Sequence, residues 1–292
     1  MENKIGIVFG GGGGRGAYQI GVLKALDEMG LPGLIKGVAG TSVGALNGAM
    51  FCAGNLDEAI GVWSSVSEDM ILKRNDIRSM RSYNGWFSNS GLKMLIKQHV
   101  DLTAVKHSKA VFYAAASRIK SPETLYRYIK SHQDKNLFHK LVTDFLKGAI
   151  TFTSSARYFK VGDYDIRVIE DILLASSAIP FVFPDIVIDD EVYVDGGIND
   201  NVPITPLYND GFRKFLVIAL NAAYEIPANK FPGAKFLKLA LNEKDLLKIV
   251  GDTFDFTAQG AQTRMRSGYE DCIGMSDAIF DFTRHNPPKN NN

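Results

Sequence analysis

The feature that most constrains this chain is a strand–glycine–helix pattern that occurs twice within its first fifty-odd residues. Lys4 to Phe9 is a short apolar run bounded by glycines, and Gly10 to Gly14, Arg15 and Gly16 follow it. Such a run reads as a buried strand of a parallel sheet. From Ala17 to Met29 the residues Ile20, Val22, Leu23, Leu26 and Met29 recur at helical spacing, and Gly30 with Pro32 ends the helix. The pattern repeats with Ile35 to Gly40 as strand, Ser42 at the turn and Val43 to Ala53 as helix. Two such units predict an α/β fold with a mostly parallel central sheet covered by helices on both faces.

Further along, Leu56 to Val105 reads as mostly helical, and Ala110 to Ala116 and Thr124 to Ile129 read as strands. Ile166 to Ala178 reads as an amphipathic helix running into Pro180 and Pro184. Ile186 to Ile188 and Glu191 to Val194 suit a hairpin across Asp189 and Asp190, and Lys214 to Leu220 is one more buried strand. Beyond residue 222 the chain changes character: Pro227, Pro232 and Gly233 break it, and Phe236 to Phe282 reads as helices. The expected division is a domain over 1–222, a helical extension over 223–285 packed on that domain or acting as a lid, and a disordered tail over 286–292.

With 292 residues, 46% of them hydrophobic, one large core is expected. The formal charge of +1 supplies no global field to concentrate nucleic acid, so no such partner is expected. Cys52 and Cys272, far apart, read as free buried thiols of a reducing compartment. The first residues lack the apolar core and cleavage site of a signal peptide. The longest apolar stretch, Ile172 to Ile188, is broken by Ser176, Ser177, Pro180, Pro184 and Asp185. The expectation is a cytoplasmic protein, peripheral at a membrane if it meets one.

Three segments carry chemistry. Gly40-Thr41-Ser42-Val43-Gly44 is a G-x-S-x-G between a strand and a helix. A nucleophile elbow needs glycines on both sides because the turn is too tight for side chains there. The turn projects the Ser42 hydroxyl outward at a helix N-terminus, where N–H groups favour developing negative charge. The plain alternative is a serine that caps its helix.

The loop of Gly10 to Gly14 has two readings. Its G-x-G-x-x-G spacing could hold a dinucleotide pyrophosphate, or its N–H groups could form an oxyanion hole. The dinucleotide reading needs an acidic residue at the end of the second strand. Gly40-Thr41-Ser42 stands there instead, which favours the oxyanion hole. No Gly-Lys-Ser/Thr follows, so a Walker loop is excluded.

The third segment is Asp195-Gly196-Gly197 after Tyr193-Val194. A serine nucleophile needs a base. His99, His107, His132, His139 and His285 lack a glycine-flanked strand-end setting, which leaves Asp195 as the favoured base, its plain alternative being a turn-capping aspartate. Lys73, Arg74, Arg78 and Arg81 near Trp86 and Phe87 either touch anionic headgroups or form a solvated face. Trp63 reads as core.

Together, Gly11-Gly12-Gly13-Gly14-Arg15-Gly16, Gly40-Thr41-Ser42-Val43-Gly44 and Asp195-Gly196-Gly197 resemble the patatin-like phospholipase family. Gly21-Val22-Leu23-Lys24-Ala25-Leu26 and Ala175-Ser176-Ser177-Ala178-Ile179-Pro180 extend the likeness, which covers Lys4 to Leu220. The resemblance implies a three-layer α/β/α fold and a Ser-Asp dyad acting on acyl esters of phospholipids, lysophospholipids or neutral lipids without metal or organic cofactor. It makes Ser42 the nucleophile, Asp195 the base and the Gly11–Arg15 backbone the oxyanion loop. Gly10 departs from the serine or other small residue of many relatives. Partners expected are a lipid ester and, transiently, a membrane surface, with the oligomeric state left open. The alternatives are a thioesterase or acyltransferase using the same dyad and a non-catalytic lipid-binding module.

Overall fold

A computed structural model describes residues 4–74, 87–120, 153–242 and 251–284. The two opening units form as read: β1 (Ile5–Phe9), a tight turn at Gly13–Gly16, α1 (Ala17–Glu28), β2 (Ile35–Thr41) and α2 (Val43–Ala53). Then come α3 (Leu56–Ser65), α4 (Glu68–Ile71), a small ribbon of β3 (Lys73–Arg74) with β4 (Phe87–Ser88), α5 (Ser90–His99) and α6 (Leu102–Lys106). Next are β5 (Val111–Ile119), β6 (Ser154–Lys160), α7 (Ile166–Ser176), β7 (Ile186–Ile188) and β8 (Glu191–Asp195). α8 (Thr205–Asn209), β9 (Lys214–Ala219), β10 (Lys235–Ala240), α9 (Ala258–Gly274) and α10 (Ser276–Thr283) complete the described chain. The expected strand over Thr124 to Ile129 lies outside the described residues.

Among the described residues the main sheet has eight strands in the order β10-β9-β1-β2-β5-β8-β7, with β6 also on β5. β10, β9, β1, β2 and β5 run parallel; β6, β7 and β8 pair antiparallel. Val8, Phe9, Val38, Ala39, Leu216 and Ile218 are buried, as a sheet covered on both faces requires. The β7–β8 hairpin turns at Asp189 and Asp190, with φ of 51° and 61°, the left-handed pair that a two-residue turn between twisted strands demands.

One reading is corrected and one strand is new. Lys235–Ala240, taken from the sequence as helix from Phe236 on, is an edge strand paired residue for residue with β9. Six residues, KFLKLA, fit a helical spacing as well as an alternating one, so only the vacant edge beside β9 decides. Ser154–Lys160, which carries little apolar periodicity, is a strand on β5.

The C-terminal helices belong to the same core: Cys272 and Ile279 are fully buried within the main apolar cluster. α9 crosses α1 so closely that a Cβ at Gly21 would collide with the Met265 carbonyl and one at Gly268 with the Tyr18 carbonyl. Only glycine fits such a crossing. Gly268→Ala is expected to destabilise the fold by about 1–3 kcal/mol through overpacking, read as a lowered urea midpoint; an unchanged midpoint would show that the helices separate without cost. Cys52 is also buried, and both cysteines are free. Burial pushes each thiol up to about 12, which keeps both protonated and inert.

Candidate active site

The partners of β5 decide where the site lies. A strand has two edges, yet β5 pairs with β2, β6 and β8. Because β6 covers Tyr113 to Ile119, overlapping the ranges of both other partners, β2 and β8 must share the opposite edge, one beyond the other. β2 is parallel to β5 and ends at Thr41 opposite Ala115; β8 is antiparallel and ends at Asp195 opposite Ala116. The two strands therefore run at each other and stop at adjacent positions. Ser42 and Asp195, 153 residues apart in the chain numbering, come together at this head-on junction.

Ser42 sits at the elbow with φ 56° and ψ −129°, a left-handed backbone that a non-glycine residue adopts only under strain. Its side chain makes no cap hydrogen bond to α2, so the helix-cap alternative does not describe it. Cβ atoms at Gly40 and Gly44 would collide, the first with the Gly44 carbonyl and the second with that of Phe9. Hence the elbow needs both glycines. The Ser42 N–H donates to Ser176 Oγ at 2.9 Å, and that hydroxyl donates to the Ala115 carbonyl at 2.6 Å. Thr41 Oγ1 donates to the Asp200 carbonyl at 2.8 Å. Sequence reasoning saw Ser176 only as part of a supporting stretch; the available signal was a serine at the end of an otherwise apolar helix face. Ser176→Ala leaves two buried backbone groups unpaired and is expected to cost about 1–3 kcal/mol. Chemical denaturation checks this, and a wild-type midpoint would make the hydroxyl dispensable.

The Asp195 carboxyl is buried. Oδ1 accepts the Gly197 N–H at 2.7 Å, while among the described residues Oδ2 has no hydrogen-bond partner. Burial pushes its pKa up from 3.8 to about 6; the nearby Ser42 hydroxyl and the Gly197 N–H pull the other way. The Ser42 hydroxyl therefore lies close enough to the carboxyl to favour its charged form. Asp195 also caps the turn that follows it, as the capping alternative has it.

The glycine loop is braced from below. Gln19 Nε2 donates to the Gly10 carbonyl at 2.7 Å, Asn47 Nδ2 to Gln19 Oε1 at 2.8 Å and to the Gly16 carbonyl at 3.0 Å, and Trp63 Nε1 to Asn47 Oδ1 at 3.0 Å. Trp63 is buried as expected, but its indole also holds this network. The N–H groups of Gly10 and Gly11 go to the carbonyls of Ile218 and Asn201, both at 3.0 Å, and that of Arg15 goes to Gly12 at 3.3 Å. The N–H groups of Gly11 and Arg15 are therefore spent on shaping the loop, and of the loop glycines it is Gly13 that lines the cavity beside Ser42. The buried Arg15 guanidinium, still cationic although burial lowers its pKa to about 10, bonds the Leu220 carbonyl at 2.6 Å and that of Gly12 at 3.2 Å. Residues 253–256 close over the loop: Gly13 and Gly14 lie against the carbonyls of Thr253 and Asp255, and Arg264 holds Asp255 at 2.9 Å.

Ser42 and Gly13 open into a cavity of about 100 Å³. Its walls are Val43, Leu46, Met50, Val62, Trp63, Val66, Ile71, Leu92, Leu95, Ile96, Val100, Ile179, Phe183 and Phe256, with Asn47, His99 and Ser177 as the other polar side chains. His99 bonds Glu58 through Nδ1 at 2.5 Å. His107, exposed beyond α6, does not line the cavity; His132, His139 and His285 lie outside the described residues, as do Arg78, Arg81 and Trp86. Among the described residues no cluster of His, Cys, Asp or Glu suits a metal ion, and no helix is long and apolar enough to cross a membrane.

A largely parallel sheet between helices, with a strained serine at a strand-to-helix elbow facing an apolar cavity, defines the nucleophile-elbow class of α/β proteins. Within it the chain belongs to the patatin-like phospholipase family: the family model described as "Patatin-like phospholipase" matches residues 7–208. A patatin-like phospholipase domain-containing protein of Caenorhabditis elegans is 30% identical over 212 residues, 72% of this chain and 13% of that protein. Neuropathy target esterases of Drosophila persimilis and Drosophila grimshawi are 57% identical over 51 residues, 18% of this chain and 3% of each esterase. The chain thus spans a small part of these relatives. VipD from Legionella pneumophila overlaps in structure with a TM-score of 0.48 at 13% identity, covering 95% of this chain and 67% of that one.

Proposed function

We propose that the chain hydrolyses fatty-acyl esters of phospholipids or lysophospholipids through an acyl-serine intermediate. The observation carrying this reading is the head-on meeting of β2 and β8, which brings Ser42 beside the buried Asp195 carboxyl at the mouth of an apolar cavity. Asp195 accepts the Ser42 proton as Oγ attacks the ester carbonyl, and N–H groups of Gly12, Gly13 and Gly14 stabilise the oxyanion. The alkoxide leaves with a proton returned by Asp195. Water, deprotonated by the same carboxylate, then opens the acyl-serine and releases the fatty acid. A carboxyl pushed up to about 6 is a far better base than one at 3.8, and it is still ionised at neutral pH.

The apolar walls suit an acyl chain and little else. Met70 and Met94, 40% and 38% exposed, are sequence neighbours of cavity-lining Ile71 and Leu95 and offer apolar surface to a lipid aggregate. The decisive experiment is lipid profiling of wild type against Ser42→Ala with phospholipid, lysophospholipid and acyl thioester substrates. Serine-dependent release of fatty acid from the oxygen esters is expected; turnover of thioester alone would make the protein a thioesterase, and release that persists without Ser42 would end the proposal. Filling the cavity with Val66→Trp is expected to lower kcat/KM for long-chain p-nitrophenyl esters by about tenfold or more while sparing the acetate. An equal loss on both would place the acyl chain elsewhere.

A further inference from the structure

A second cleft lies at the opposite end of the sheet. It is open, about 600 Å³, and lined by Lys4, Lys36, Lys109, Lys160, Asp210 and a floor that includes Phe212. The topology explains the crowding. Lys4 precedes β1, Lys36 is the second residue of β2, Lys109 stands two residues before β5, and Lys160 ends the antiparallel β6. These four strands are neighbours, so their lower ends place four ammonium groups side by side.

Charge balance is missing there. Lys93 and Lys97 pair with Glu170, and Lys106 pairs with Asp165. Among the described residues none of the four cleft lysines has a carboxylate within ion-pair distance; Lys36 Nζ bonds only the Gly33 carbonyl, at 2.7 Å. Asp210, the one acid lining the cleft among the described residues, has its Oδ2 engaged by the Tyr113 hydroxyl at 2.8 Å. The cations continue along the sheet edge, where Lys214 and Lys235 stand in register with Ile5. Burial and the like charges of Arg284 and Lys235 push the Lys214 pKa down. In a chain of formal charge +1 this concentration is local.

We infer that this basic cleft binds an anion carrying several phosphate groups. Three strand spacings of about 4.8 Å spread the lysines over roughly 14 Å, too far for one phosphate to meet them all. Lysine ammonium groups are compact point charges without the fork of arginine, so they select charge density over carboxylate-like shape. The cleft is remote from the acyl cavity: Lys36 and Ser42 occupy opposite ends of β2, roughly 20 Å apart at about 3.3 Å per residue. A ligand there leaves the catalytic mouth free. Two sources share this chemistry, a soluble polyphosphate and a multiply phosphorylated lipid headgroup.

The test is isothermal titration of the whole chain with sodium tripolyphosphate, beside sedimentation with phosphatidylcholine vesicles with and without phosphatidylinositol bisphosphate. Wild type and Lys109→Glu/Lys160→Glu are compared. Wild-type binding of either probe, weakened by salt and reduced about tenfold or more in the variant, supports the site, and the probe that binds names the source. Binding of neither probe, or equal binding by the variant, overturns it. Neither readout involves ester hydrolysis, so failure of the hydrolase reading leaves the result interpretable. A thermal transition of the variant close to that of wild type confirms that it folds.

Discussion

Ser42→Ala is expected to lower ester hydrolysis by about 10⁴-fold or more while leaving the thermal transition close to that of wild type. The magnitude follows from the role: without Oγ there is no acyl-enzyme, and only the oxyanion donors and binding remain to assist water. The unchanged transition follows from the geometry. Ser42 makes no side-chain cap bond, and what holds the elbow is its backbone N–H on Ser176, which alanine retains. Alanine also keeps the strain at φ 56°, whereas glycine relieves it. Ser42→Gly should therefore be equally inactive yet more stable than Ser42→Ala by about 1 kcal/mol. Purified Ser42→Ala turning over within tenfold of wild type would remove the nucleophile from the mechanism.

Asp195→Asn separates catalysis from stability. Its rate should fall by about 10³-fold or more, because an amide cannot take the serine proton. Its stability should move the other way. The native carboxyl holds its proton up to about pH 6, whereas in the unfolded chain it titrates near 3.8. Between those values the native state binds a proton that the unfolded state has lost, so rising pH erodes stability, and above pH 6 the full cost of a buried charge stands. That cost is about 3 kcal/mol. The variant is therefore expected to match wild type near pH 4 and to exceed it in urea midpoint at pH 8. Wild-type kcat/KM should climb with pH through about 6, the range in which the base ionises. A stability difference independent of pH, or a flat rate profile there, would mean that Asp195 is not the titrating base.

Much of the site was legible before folding is considered, because its chemistry is written in short runs. The elbow glycines, the glycine loop and the Asp195-Gly196-Gly197 turn are each dictated by steric demands within a few residues. Less legible was which donors of the loop are free: the N–H groups of Gly11 and Arg15 are taken by Asn201 and Gly12, the first of these a contact across 190 residues. The brace of Gln19, Asn47 and Trp63 escaped notice because each, alone, looks like an ordinary interior polar or aromatic residue. Residues 235–240 were misread because six residues carry too little periodicity to choose between helix and edge strand.

Local sequence determined the α/β alternation, the strained serine at its strand-to-helix turn and the presence of a second acidic turn far along the chain, since backbone sterics and apolar spacing act over a few residues. Their union depended on β5. One of its edges is long enough to carry the end of β2 and the end of β8 in opposite directions, and strand pairing between distant segments is set by which edges remain open once the sheet assembles. The unbalanced lysines at the other end of the same strands have the same origin: harmless singly in the sequence, they become a concentrated positive cleft only when four strand ends are laid side by side.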